Sequence, residues 1–367
     1  MKRIFYPVAV TILFAACSTG PHYLIDGKIS GSDTVKFILL KKEAGSYMQI
    51  DSAVSRKGSF KMKGSVEFPD IVQLIAVNTG YRTSFYLENS RITVSGRLDS
   101  LFNAKITGSK TNDEYRSLIE AKKPLSEKYS DLYIEYQMAY QTEDTAKTSR
   151  LEKEIESVLE QRNAVDLDFI KSNPASYLAP MILKDHSYEM EAEEIKAAIE
   201  AMDTNVARTP VVKELMEKVA LMIPVSIGKK APDFTLNDLK GNAVTLSSKV
   251  GVKLLLIDFW ASWCNPCRQE NPNIVKLYNE FHKQGFDILG VSLDTNRDAW
   301  LKAVAADKLT WTQINDPGQY DDSVAKLYAV DLIPSNFLLD ETGTIIARNV
   351  TGKDLYNKVK ELLGNRQ

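Results

Sequence analysis

One short motif constrains the fold of this chain more than any other, namely two cysteines, Cys264 and Cys267, separated by Asn265-Pro266. A nearly continuous apolar run over residues 254–260 precedes them, which is typical of a central strand covered on both faces. A helical pattern of apolar residues follows them. In this strand–turn–helix order, the first cysteine lies at a helix N-terminus and the second lies one turn into the helix, close enough for a disulfide bond.

The rest of the C-terminal part alternates between strand and helix patterns, which favours an α/β domain built from βαβ units. The patterns predict a strand at 286–293, helices at 296–307 and 322–329, a hairpin at 337–340 and 344–350, and a last helix at 353–363.

The segment from Asp258 to Cys267 resembles the active-site segment of the thioredoxin superfamily. Within that superfamily, residues 228–367 are most similar to the TlpA/ResA-like thiol-disulfide oxidoreductases. Residues 231–236 resemble their opening strand region, and the helical segment between 293 and 332 resembles their insertion. The resemblance implies a thioredoxin-like α/β C-terminal domain that exchanges thiols for disulfides.

The two cysteines then take different roles. Unpaired N–H groups and the helix dipole stabilise a thiolate at Cys264, so we expect Cys264 to be the exposed nucleophile. Cys267 would resolve the mixed disulfide. Trp263 would shield the nucleophile and offer a contact surface, whereas Trp260 would pack in the core. An inert stabilising disulfide is the alternative.

Charged residues accompany the motif. Asp258 follows four apolar residues, and burial without a partner would raise its pKa. The resemblance implies that Asp258 carries the proton of Cys267, and the alternative is a strand-end residue satisfied by local hydrogen bonds. Arg268 and Glu270 flank the site, and Arg268 either favours the thiolate or faces solvent.

A proline completes the predicted site. Ile333-Pro334-Ser335 precedes the hairpin strand, where the thioredoxin fold carries a cis-proline that faces the cysteines. We therefore expect a cis bond before Pro334. The backbone of Ile333 would pair with an extended substrate segment.

The N-terminus has the pattern of a targeting segment. Lys2 and Arg3 precede an apolar run over residues 4–16, which is shorter than the roughly 20 residues of a membrane-spanning helix and is typical of a secretory signal. The sequence before Cys17 resembles a bacterial lipoprotein signal, although Phe14 stands where leucine is more common. The resemblance implies a signal peptide at 1–16, a lipidated Cys17 and a tether at 17–23. An ordinary signal or an uncleaved anchor is the alternative.

Lipidation of Cys17 would leave only Cys264 and Cys267 to pair with each other. The mature protein would then be a membrane-anchored lipoprotein of the cell envelope that faces the periplasm, where disulfides persist.

Residues 24–110 are rich in short strand patterns separated by turn residues, which predicts a β-rich, sandwich-like domain. The order of residues 51–53, 58–60 and Gly64 resembles a small β-domain of unknown function that often precedes thioredoxin-like domains in bacterial lipoproteins. It contains no catalytic motif.

Residues 111–223 have helical patterns, and residues 224–230 are interpreted as a linker to the domain at 231–367. In the first helix, Tyr129, Tyr133, Tyr136 and Tyr140 recur at helical spacing. We interpret this tyrosine stripe as the packed face of a helix pair, with a partner-binding face as the alternative.

Composition excludes several functions. The formal charge of −2 gives no support for nucleic-acid binding, and no glycine-rich phosphate loop is present. The three histidines are scattered, without cysteines at ligand spacing, so we expect no metal site and no cofactor.

The leading functional prediction is an envelope protein thiol-disulfide oxidoreductase. Asn265-Pro266 lacks the histidine of strongly oxidising members, which favours a reductase that a membrane thiol donor keeps reduced. The resemblance suggests disulfide-containing envelope proteins as substrates, including apocytochrome c during cytochrome c maturation.

Three alternatives remain open. The first is a disulfide oxidase or isomerase. The second is a docking or assembly factor that uses the N-terminal domains and can form a homodimer. The third is a peroxiredoxin-like peroxidase, because residues 231–234 occur in that group too, but Ala261 stands where that group has threonine or serine.

Overall fold

The structure is a computed structural model that describes residues 22–43, 45–318 and 323–364. The predicted signal peptide, Cys17 and most of the tether therefore lie outside the described residues. The chain divides into two compact units. The first runs to Val165 and includes Ser176–Leu178, and the second contains Asp166–Ala175 and the chain from Ala179 onward.

The first unit begins with short strands that form two antiparallel-rich sheets. The strands are β1 (Tyr23–Ser30), β2 (Lys36–Glu43), β3 (Ser46–Val54), β4 (Ser59–Gly64), β5 (Asp70–Ala76), β6 (Arg82–Leu87), β7 (Arg91–Arg97) and β8 (Lys105–Thr107). One sheet has the order β4-β1-β7-β8 and the other has the order β3-β2-β5-β6.

Alternating apolar side chains from both sheets share one core, as the strand period of two requires. The rings of Phe37 in β2 and Phe60 in β4 stack across that core with centroids 4.4 Å apart. This arrangement confirms the predicted sandwich-like domain.

Two long helices follow, α1 (Lys110–Gln141) and α2 (Thr145–Ser172). The side chain of Ser109 caps α1 by accepting a hydrogen bond from the backbone N–H of Asn112. Asn112 in turn accepts from the N–H of Tyr86 and donates to its carbonyl, which fixes the start of α1 against β6.

The tyrosine stripe of α1 is only partly a packed face. Its rings stack along the helix with centroids about 6 Å apart. Tyr136 donates a hydrogen bond to Glu152 of α2, and Arg162 lies over the ring of Tyr129. Tyr133 and Tyr140 are 44% and 67% exposed, so the packed-face interpretation is wrong for these two. Stacking on neighbouring rings, instead of insertion between the helices, leaves them in solvent.

The second unit starts with three helices that contact one another, α3 (Ala179–His186), α4 (Ala192–Glu200) and α5 (Pro210–Met222). In α4, Glu191 and Glu194 form a reciprocal capping box at the N-terminus. Pro210 at the start of α5 needs no hydrogen-bond partner for its nitrogen.

A seven-stranded sheet follows, with the order β10-β9-β13-β12-β11-β14-β15. Its strands are β9 (Thr235–Asp238), β10 (Ala243–Thr245), β11 (Leu254–Trp260), β12 (Phe286–Ser292), β13 (Thr312–Asn315), β14 (Ser335–Asp340) and β15 (Ile345–Arg348). The helices of this part are α6 (Asn265–Phe281), α7 (Arg297–Ala306), α8 (Val324–Leu327) and α9 (Gly352–Gly364).

Strand β11 lies inside this sheet, parallel to β12 and antiparallel to β14. All seven of its residues are buried, as the apolar run predicts. The strand ends at Trp260, and only residues 261–263 separate it from Cys264, so both cysteines lie near the carboxyl end of β11. The thioredoxin-like C-terminal domain is therefore confirmed.

The insertion between β12 and β14 differs from the prediction in two ways. It contains the strand β13, which the sequence analysis missed, and α8 is shorter than the predicted helix at 322–329. Within the part of the chain that the structure describes, no helix has both the length and the apolar character needed to cross a membrane.

Candidate active site

The two cysteines form a disulfide at the N-terminus of α6. Their Cα atoms are 5.3 Å apart, within the ordinary range for a bridge. Cys264 is the N-cap of the helix, and its Sγ accepts a hydrogen bond of 3.2 Å from the backbone N–H of Cys267. Pro266 lies in the first turn, where its missing N–H removes no helical hydrogen bond. The free N–H groups and the helix dipole therefore act on Cys264.

The two cysteines are almost equally shielded from solvent in this oxidised form. Cys264 is 4% exposed and Cys267 is 2% exposed, so the expectation of an exposed Cys264 is wrong for the disulfide state. The carbonyl oxygen of Ile333 lies 3.6 Å from Cys264 Sγ and covers it.

The two neighbouring tryptophans have the predicted difference in burial. Trp263 is 53% exposed beside Cys264 and is available for contact with a partner. Trp260 is 1% exposed, and its indole N–H donates to the side-chain oxygen of Gln313 on β13.

Asp258 lies in β11, two residues before its end, and its side chain is buried. Burial raises the pKa of Asp258 to about 7, and the negative charge of Glu270 adds to the increase. The predicted direction of the shift is confirmed. A carboxyl group with this pKa can hold or release a proton near neutral pH.

Glu270, which was predicted only to flank the site, contributes directly to its electrostatics. It lies one turn after Cys267 on α6, and its carboxylate accepts hydrogen bonds from the backbone N–H of Gly352 (2.6 Å) and the side chain of Asn273 (2.9 Å). These bonds hold a negative charge close enough to influence Asp258. The spacing of three residues from Cys267 is the signal that could have indicated it.

The side chain of Arg268 is 31% exposed, and its hydrogen bonds go to neighbouring polar groups and not to the sulfurs. Its guanidinium group donates to both carboxylate oxygens of Asp307, the C-cap of α7, and to the carbonyl of Ser262. Asn271 donates to the same carboxylate at 2.6 Å. Asp307 thus connects the first turns of α6 to the end of α7.

A second buried carboxylate fixes the loop before the cysteines. Asp294 is 2% exposed and accepts hydrogen bonds from the backbone N–H of Ser262 and the hydroxyl of Ser292, both at 2.8 Å. Asp294 was not predicted from the sequence, since its partner in the active-site loop, Ser262, lies 32 positions away.

The Ile333–Pro334 peptide bond is cis, as predicted. Ser335 begins β14 opposite Phe259 of β11, and its hydroxyl donates to Asn349 at 2.6 Å. This pairing brings the loop at 333–334 to the same sheet edge as the disulfide. Among the described residues, no three His, Cys, Asp or Glu side chains are grouped so that they could hold a metal ion.

Two known families match separate parts of the chain. Residues 227–348 match the AhpC/TSA family, and residues 23–115 match a domain of unknown function, DUF4369.

Curated relatives match the C-terminal part. The chain is 34% identical over 141 residues to the thiol-disulfide oxidoreductase ResA of Geobacillus kaustophilus, covering 38% of this chain and 79% of the relative. It is 30% identical over 128 residues to ResA of Bacillus subtilis, covering 35% and 69%. A crystal structure of the thioredoxin domain of a thiol-disulfide oxidoreductase from Bacteroides vulgatus is 39% identical, covers 38% of this chain and 98% of that domain, and has a TM-score of 0.36.

Proposed function

The chain belongs to the ResA-type thiol-disulfide oxidoreductases, and from this membership we propose that its Cys264–Cys267 pair reduces disulfide bonds of other proteins in the cell envelope. The observation that supports this most strongly is the redox pair itself, which caps α6 with one sulfur held by a backbone N–H. A purely structural disulfide would not need a helix N-terminus that stabilises the thiolate of one partner.

The reaction proceeds in two exchanges. In the reduced protein, the Cys264 thiolate attacks a substrate disulfide, so a Cys264–substrate bond forms and one substrate thiolate leaves and takes up a proton. The Cys267 thiolate then attacks the Cys264 sulfur, which forms the Cys264–Cys267 disulfide and releases the second substrate thiol. Two electrons pass to the substrate.

Asp258 would accept the proton of Cys267 as its thiolate forms. The support is its burial in β11 and a pKa of about 7, which lets the carboxyl group exchange a proton at neutral pH. Trp263 and the backbone of Ile333 would contact the substrate, because the first is exposed and the second lies beside Cys264 Sγ. Pro334 would keep the loop at this position.

The direction of electron flow is proposed as reduction, since Asn265-Pro266 carries no histidine. A membrane thiol donor would return two electrons to the Cys264–Cys267 disulfide after each turnover. Lipidation at Cys17 would keep the protein at the membrane, and apocytochrome c is one substrate class to test.

Trapping of the mixed disulfide tests the assignment of roles. Reduced Cys267→Ser protein should accumulate a covalent adduct with a disulfide-bonded peptide at Cys264, because the resolving thiol is missing. Reduced Cys264→Ser protein should accumulate none, and mass spectrometry distinguishes the two. An adduct through Cys267 in the second variant, with none in the first variant, would reverse the roles.

The alternatives have separate tests. Oxidase or isomerase activity would show as oxidation or rearrangement of a reduced or mispaired test protein. A monomeric mass measured by light scattering would exclude the homodimeric isomerase. A Cys264→Ala protein that restored the function of a deletion strain would favour the docking factor. Ala261 is fully buried and has no hydroxyl for a peroxidase, so we expect no consumption of peroxide.

A further inference from the structure

A cavity of about 290 Å³ lies against the cis-proline loop within the second unit. One wall consists of residues 187–191, between α3 and α4, together with Lys218 and Met222 of α5. The other wall consists of the loop around Pro334 and the end of β15. The AhpC/TSA match covers residues 227–348, so every residue of the first wall precedes the matched region.

The cavity has an apolar rim that is open to solvent. Tyr188 on the first wall is 48% exposed, and Leu332 on the second wall is 58% exposed. Aromatic and large aliphatic side chains in such positions are typical of contact surfaces for polypeptides.

Polar contacts hold the two walls together. Lys218 Nζ lies 2.6 Å from the carboxylate of Asp331 and 3.3 Å from the hydroxyl of Ser187. The side chain of Arg348 is 6% exposed, and its Nη1 forms an ion pair of 3.6 Å with the carboxylate of Glu191. Neither Nη1 nor Nε has a hydrogen-bond acceptor among the described residues. The lining thus contains N–H donors of Arg348 that are not hydrogen-bonded to any of the described residues.

The charges that a ligand can reach are mainly negative. The side chains of Asp331 and Glu191 are 56% and 38% exposed, whereas those of Lys218 and Arg348 are 20% and 6% exposed. Asp331 pairs with Lys218 and Glu191 pairs with Arg348, so the further exposed carboxylate of Glu189 leaves the lining with one more negative than positive charge. A positively charged segment therefore complements this rim better than a negative one.

The cavity is close to the reacting sulfur. Pro334 lines it, and the carbonyl of the preceding Ile333 is 3.6 Å from Cys264 Sγ. An extended chain advances roughly 3.3 Å per residue. A substrate strand that pairs with Ile333 would therefore reach the cavity within a few residues of its cysteine.

We propose that this cavity binds the polypeptide segment beside the substrate's disulfide and favours a segment that carries a lysine or arginine side chain. The helices α3 to α5 thereby become part of the substrate site. This assignment rests on the reduction of protein disulfides proposed above.

The first experiment compares a peptide disulfide with a small one. The substrates are the disulfide dimer of a peptide with lysine on both sides of its cysteine, and bis(2-hydroxyethyl) disulfide. We expect Leu332→Ala and Tyr188→Ala, in the full-length protein, to lower the ratio of the two kcat/KM values by about tenfold. Leu327→Ala is the matched control, because Leu327 is 43% exposed but does not line the cavity. An unchanged ratio in both rim variants would overturn the proposal.

The second experiment tests the charge preference. The wild-type protein should reduce the lysine peptide about tenfold faster, in kcat/KM, than the same peptide with glutamate, mainly through KM. Glu189→Gln should bring the two rates to within about twofold, whereas Glu193→Gln, an exposed carboxylate on α4 outside the cavity, should not.

The outcomes separate the two proposals. Equal rates for both peptides in the wild type, with normal reduction of the small disulfide, would overturn the cavity assignment and leave the proposed function intact. Reduction of the small disulfide without reduction of either peptide would contradict the proposed function itself.

Discussion

Asp258 lies between apolar neighbours of β11 in the middle of the sheet, and its carboxyl group is buried. Desolvation raises the pKa of this group to about 7, and Glu270 adds a smaller increase. An unfolded chain would have an aspartate pKa of about 3.9. The folded protein therefore binds this proton more tightly than the unfolded chain does.

The raised pKa of Asp258 determines how the free energy of unfolding changes with pH. The stability contributed by the protonated carboxyl is fully present below about pH 4 and is lost as the pH rises through about 7. Asp258→Asn cannot ionise, so at pH 8 the oxidised variant should be more stable than the wild type by on the order of 4 kcal/mol. At pH 4 most of that difference should disappear. The same variant should also resolve mixed disulfides more slowly.

Urea unfolding at the two pH values measures this effect. Fluorescence reports on the second unit alone, because all four tryptophans (Trp260, Trp263, Trp300 and Trp311) belong to it. Asp185→Asn, an exposed aspartate of α3, is the control and should show no such pH dependence. A pH-independent difference between Asp258→Asn and the wild type would mean that Asp258 does not titrate in this range.

Single residues of the site could be predicted to different degrees. The cysteines and the raised pKa of Asp258 follow from patterns within a few neighbouring residues, whereas the cis bond before Pro334 follows from the resemblance to the thioredoxin fold. The partners Asp294 and Asp307 do not, since each lies more than 30 positions from the loop or helix that it holds. Contacts over such distances depend on the tertiary structure and leave no local pattern.

At the level of elements, β11 and α6 have clear signatures. The first is a continuous apolar run and the second has apolar residues at helical spacing, and both form as predicted. Strand β13 was missed, because only Ile314 among its four residues (Thr312–Asn315) is apolar. Its pairing with β12 and β9 stabilises it instead.

The link between α6 and α7 gives a prediction at this scale. Arg268 and Asn271 of α6 both donate to Asp307, whose side chain is 15% exposed. Asp307→Asn removes the charge that satisfies a half-buried guanidinium group. The free energy of unfolding of the second unit should therefore fall by about 1–3 kcal/mol.

Urea unfolding followed by tryptophan fluorescence measures the loss. Asp298→Asn, an exposed aspartate in the first turn of α7, is the matched control and should change the stability by less than about 1 kcal/mol. If both variants lost the same amount, the contact with Arg268 would not stabilise the helix pair.

At the level of the whole molecule, the helical region is divided between the two units. Helix α1 and most of α2 belong with the β-sandwich, whereas α3 to α5 belong with the redox domain. The sequence patterns predict residues 111–223 as one helical region. They could not predict the division, because an amphipathic pattern shows which face of a helix is buried but not which partner covers that face. This division is what places α3 to α5 beside the cis-proline loop.

The central claim is that the whole protein acts as a reductase through Cys264 and Cys267. Its most direct test is the reduction potential of this pair, measured in a full-length Cys17→Ser variant that leaves only these two thiols. Tryptophan fluorescence follows the equilibrium with a thiol–disulfide buffer, because Trp260 and Trp263 are neighbours of the pair. A potential below about −230 mV, near that of thioredoxin, is the result we predict. A potential above roughly −180 mV would contradict a reductase and support an oxidase or isomerase instead.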